Sequence, residues 1–129
     1  MLRPDRLAPA LLAVLGVSEV LLGLWMVIAP RSFFDTLGAF GAYNEHYVRD
    51  AATFMLALGI VALLAVPRPS WWPAVLALGA AQFTLHAVNH VVDAGKADKL
   101  AAGVFDAVSL AGVALLLGWT FARLRRRPA

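Results

Sequence analysis

"GIVALLAVPRPSWWPAVLALGA", residues 59–80, is the stretch on which the fold turns. Two uniformly apolar runs flank a break made by Pro67, Pro69 and Ser70. Proline lacks a backbone donor and holds φ fixed, so neither run continues through the break, while Pro73 suits the first turn of a new helix. The runs are apolar throughout instead of alternating with period two, so they read as helices and not as barrel strands. A connection this short makes the flanking helices antiparallel neighbours.

Working outward, four such runs cover about 7–29, 47–66, 71–92 and 100–122. Each is close to the ~20 residues a helix needs to cross ~30 Å of hydrocarbon. With 129 residues, 61% of them hydrophobic and 15% charged, the chain is expected to be a single all-α domain. Its expected form is an integral membrane, antiparallel four-helix transmembrane bundle with nothing left over for a soluble domain. The first run follows Arg3 and Arg6, but it is too long for a signal-peptide core and carries Glu19. Gly16 and Gly23 on that run suit close helix approach. The chain has no cysteine, which excludes disulfides, thiolate metal ligation and thiol-based quinone chemistry.

Arg3, Arg6, Arg68, Arg123, Arg125, Arg126 and Arg127 fall on one side of the four spans, and Arg31, Arg49, Lys96 and Lys99 on the other. The positive-inside rule then places both termini and the 67–70 turn in the cytoplasm, for a multi-pass protein of the inner (plasma) membrane. Trp71, Trp72 and Trp119 near the cytoplasmic face and Trp25 near the outer one match interfacial belts. The net charge of +3 and the RLRRR tail at 123–127 orient the chain and meet anionic lipid, with no nucleic-acid partner implied. No Gly-rich loop precedes a lysine, so nucleotide binding has no support. "PRSFFDTLGAFGAYNE", residues 30–45, suits a short amphipathic helix in the outer interface, capping the bundle or acting as a lid.

Against this background "AAQFTLHAVNHVVDAGK", residues 80–96, stands out, because it holds two of the three histidines. At ~100° per residue Gln82, His86, Asn89, His90 and Asp93 share one arc of the third span, which should face inward. On the second span His46, Asp50 and Thr53 share a face with Tyr43 and Tyr47, while Glu45 and Arg49 form an i, i+4 ion pair. Counting ~1.5 Å per residue from the outer ends brings Asp50, His86 and Asp106 to one height, with His46 and His90 shallower and Glu19 near the midplane. Each ionisable group in the bilayer costs about 2.5–3.5 kcal/mol unless it is partnered, so such a set is expected to meet within the bundle.

Two imidazoles four residues apart with carboxylates from neighbouring helices suit Zn²⁺, Fe²⁺ or Mn²⁺. The expected metal or small-ligand site is therefore His86, His90, Asp50 and Asp106, with His46 as a further ligand. Asp106 and Glu19 are the proton-transfer candidates should metal-assisted hydrolysis or oxidation of a lipid-soluble substrate take place. Bis-histidine haem ligation by His46 opposite His86 or His90 is disfavoured by the carboxylates at the same height. Bland roles exist for each residue: Asp93 in the turn, Asp106 paired with Lys99, Asn89 and Gln82 as interhelical hydrogen-bonding groups. The competing readings are a non-catalytic accessory subunit with a structural polar core, docking on a membrane protein partner or a second copy of itself, and a proton path centred on Glu19.

The first span ending in "VIAPRSFFDTLG", followed by Arg49, Asp50 and Ala51 opening a second span that runs into "FMLALGIVALLA", resembles the small four-helix membrane proteins grouped as DoxX-like. The resemblance covers about the first half of the chain and implies the four-helix fold. It also implies a place as a small subunit of a membrane redox or stress-response complex. Vitamin K reductase-like bundles are excluded by the absence of a CxxC pair.

Overall fold

The computed structural model describes residues 4–38, 40–96 and 100–126; Arg3, Lys99 and Arg127, used above to orient the chain, lie outside them, and with Lys99 the suggested pairing of Asp106. The architecture is helical, in the order α1 (Pro4–Ile28), α2 (Pro30–Thr36), α3 (Glu45–Ala65), α4 (Trp72–Asp93) and α5 (Leu100–Arg125). Four of these, all but α2, are long and apolar enough to cross a membrane, as in a multi-pass membrane protein. Their outward faces carry large apolar side chains in the open: Leu21, Leu85, Phe105 and Leu115 are 62%, 69%, 71% and 74% exposed. Such a surface is stable only against lipid or another apolar partner.

Helix ends follow local chemistry. The α3 helix starts at Glu45 and not at residue 47, because the Asn44 side chain accepts a hydrogen bond from the Tyr47 amide (3.2 Å) and caps the first turn. Pro67 stops it at the other end. A single 3-10 turn, Pro69–Trp71, leads into α4, which carries proline in its first turn. Trp72, expected only as an interfacial anchor, does more: its indole Nε1 donates to the carbonyls of Ala65 (3.0 Å) and Val66 (3.3 Å), which α3 leaves without helical partners. Arg68 Nη1 donates in the same way to the Leu64 carbonyl.

The helices assemble as two pairs, α1 with α3 and α4 with α5, and other contacts are slight. Although the 67–70 turn is short, α3 and α4 are not extensive packing partners, because the 3-10 turn and the Trp72 clasp hold only their ends together. Within the first pair the chains run in opposite directions, with Gly16 against Gly59 and Leu63, and Gly23 against Ala52 and Leu56. Gly59 sits so near α1 that an added Cβ would lie 2.9 Å from both the Gly16 carbonyl oxygen and the Val20 amide nitrogen. The backbones touch there. In lipid, where burial of apolar surface no longer drives helices together, such close approach is the main source of packing energy.

The two pairs meet in a core at the Pro67 end, where Leu12, Leu76 and Leu117 are 0–2% exposed alongside Leu15 and Ala62. Toward the α2 end they separate. That split in an otherwise close-packed interior is what makes room for a site.

Gly59→Val is expected to push α1 from α3 and to destabilise the protein by the ~1–3 kcal/mol typical of overpacking, read as a lowered thermal midpoint in detergent. Gly112→Ala, where nothing lies within 4 Å of the added carbon, should leave the midpoint unchanged or raise it. Equal effects of the two would rule out the glycine contact as the seam of the pair.

Candidate functional site

Between the pairs, at the α2 end, lies a cavity of about 660 Å³. Its polar wall comes from three helices. Gln82, His86 and His90 on α4 recur every four residues and so line up on one face. Asp106 and Ser109 come from α5 at a spacing of three, and Glu19 comes from α1. The rest is apolar. Phe54 and Met55 of α3, Phe83 of α4, and Phe33 and Phe40 from α2 and the turn after it line the space, which opens to the outside, together with Leu22, Met26 and Leu110.

His86 and His90 face one another, with Nε2 atoms 3.1 Å apart and ring centroids 4.7 Å apart, so one ring donates and the other accepts. The Phe40 ring meets His90 edge-on at 4.9 Å. The other His90 nitrogen, Nδ1, is buried without a hydrogen-bond partner. Glu19 is 6% exposed, and no hydrogen bond or ion pair engages it among the described residues. A buried carboxyl group without a hydrogen-bond partner is costly in any fold.

The structure thus brings His86, His90, Asp106 and Glu19 to one cavity, but His46 and Asp50 do not join them. They pair with each other across one helical turn, Nε2 to Oδ2 3.3 Å, with side chains 76% and 63% exposed. The inward face of α3 is set by Ala51, Phe54, Met55 and Leu58, at i, i+3, i+4 and i+7, which turns Asp50 and His46 away. Near a helix end a polar face can reach water, so the cost that suggested an inward orientation does not operate. Among the described residues no group of three or more His, Asp or Glu side chains is arranged to hold one metal ion.

Other expectations divide in the same way. Glu45 and Arg49 pair at 2.5 Å, as i, i+4 spacing implied. Arg49 Nε also donates to the Val27 carbonyl at 3.4 Å, bridging α3 to the end of α1. Asn89 is exposed, and Asp93 pairs with Lys96 at 2.6 Å in the turn, so neither lines the cavity. Arg31 donates to Asp35 at 2.9 Å and lies over the Tyr43 ring; the hydrogen bond to Asp35, then its charge, raises the guanidinium pKa above its ordinary value. Ser109, Phe54 and Phe83 were not singled out from the sequence, whereas Phe33 and Phe40 belong to the 30–45 segment read as a cap or lid. The i, i+3 spacing of Asp106 and Ser109 was the available signal for the first, while a phenylalanine in an apolar span carries none.

No family model, curated protein or solved structure matches this chain.

Exchanging both exposed partners, in a His46→Ala, Asp50→Asn double variant, is expected to change stability by under ~1 kcal/mol, as for other surface pairs. Thermal melting in detergent checks this. A large loss would mean that the pair belongs to a buried network after all.

Proposed function

We propose that this is an antiparallel four-helix protein of the plasma membrane, with both ends cytoplasmic. In its outer half it takes a small lipid-soluble ligand between its two helix pairs. The observation that carries the reading is the cavity itself: one apolar chamber of about 660 Å³ with a polar wall from α1, α4 and α5. Cavities of this size, largely apolar with a few convergent polar groups, are where small molecules bind. Orientation rests on Arg6, Arg68, Arg123, Arg125 and Arg126 at the Pro67 end, which makes the α2 end the outer one. On this reading α2 covers the chamber, since Phe33 and Leu37 reach into it, and kinship with DoxX-like proteins is retained at the level of the four-helix fold.

A second reading is favoured by one distance. Two imidazole nitrogens 3.1 Å apart can share one divalent ion at the ~2.1 Å length of an imidazole–metal bond. His86 and His90 would then be the protein ligands for zinc, iron or manganese, with Asp106 and Glu19 on the same chamber to complete the sphere or move protons.

Photolabelling with an alkyl diazirine in nanodiscs tests the ligand reading. Label should concentrate on Phe54, Phe83 and Leu110 and fall when Ala51→Trp fills the chamber; label spread evenly over outward residues such as Leu85 and Leu115 would count against it. Elemental mass spectrometry on untagged protein separates the second reading. Near-stoichiometric metal that disappears in a His86→Ala, His90→Ala variant supports the ion, and metal-free folded protein removes it.

A further inference from the structure

We infer that the ligand of this chamber is a lipophilic organic cation, an amine or onium group carried on aromatic or alkyl bulk; this rests on the ligand reading above and specifies its chemistry. The argument is one of charge. Two carboxyl side chains, Glu19 and Asp106, line the chamber, and no lysine or arginine lines it among the described residues. The basic side chains described at that end of the bundle are already committed elsewhere: Arg31 to Asp35, Arg49 to Glu45 and Lys96 to Asp93. No lysine or arginine described at that end is left to neutralise the chamber.

Glu19 makes this more than an acidic cluster. It is about nine-tenths buried, unpartnered among the described residues, and lines the chamber from the middle of α1. An anionic ligand would add like charge to a water-poor space, whereas a cation pairs directly with a carboxylate there.

The apolar lining selects which cation. Phe33, Phe40, Phe54 and Phe83 line the space, and aromatic rings attract a cation that has shed its water, as they do a quaternary ammonium group. A hydrated inorganic ion gains little from such walls. The volume, about 660 Å³, accommodates a head of several rings. The imidazoles of His86 and His90, with Gln82 and Ser109, line the same space and carry hydrogen-bonding groups for an amine N–H.

The test uses the full chain in detergent with tetraphenylphosphonium as the cation and triphenylphosphine oxide as the neutral aryl counterpart, titrated calorimetrically against matched empty micelles. Saturable binding of the phosphonium is expected, weakened by about tenfold or more in Glu19→Gln, as when one partner of a buried charge pair is lost. Asp106→Asn should weaken it as well, and Asp50→Asn should leave it unchanged. Thermal melts establish that each variant is folded. Equal affinity for the two probes, or an undiminished phosphonium affinity in folded Glu19→Gln, overturns the cation inference while leaving the ligand-binding chamber standing. Binding of neither probe overturns the inference, and if photolabel is also spread evenly over the outward residues, the chamber reading falls with it.

Discussion

The rest of the structure depends on the backbone contact of α1 with α3 at Gly16 and Gly59. In lipid, shape decides which helices associate, since every side of an apolar helix is equally content with its surroundings. Glycine at both positions removes the side chains that would hold the axes apart. Once the pair is closed along this seam, the register of Gly23 against Ala52 follows, and with it the rotation of α3. That rotation turns Phe54 and Met55 inward and leaves Asp50 at the surface.

The second pair joins the first only at the Pro67 end, where leucines from α1, α4 and α5 interlock with α3 alanines. Bulk decides the difference between the two ends. Alanine and leucine mesh without leaving space, whereas phenylalanine, methionine and polar side chains line the space at the α2 end. Dense packing is the ordinary state of a protein interior, so a space of this size in so small a chain is the feature on which the proposed ligand reading rests.

Charge is arranged with the same asymmetry. At the α2 end the exposed carboxylates, Glu45, Asp35, Asp50 and Asp93, each have a basic or imidazole partner three or four residues away on the same helix or turn. Glu19 has none among the described residues, and it is the acid held deepest. Local pairs of this kind need only helical spacing, but a residue in the middle of α1 can be matched only from another helix or from a ligand.

Much of this was legible in the chain. The four spans, the break at Pro67 and Pro69, the use of Gly16 and Gly23 for close approach, the Glu45–Arg49 pair and the inward stripe of Gln82, His86 and His90 all follow from composition and from 3.6-residue periodicity, which are local properties. Tertiary structure alone decided that α3 pairs with α1 and not with α4, that His46 and Asp50 face away from the histidines of α4, and that phenylalanines from four separate segments line one cavity with Glu19. The physical reason is that a helix apolar on every side carries almost no record of which side its neighbour will occupy. Rotation and pairing are set by how side chains interlock across the interface, and that depends on residues far apart in the sequence.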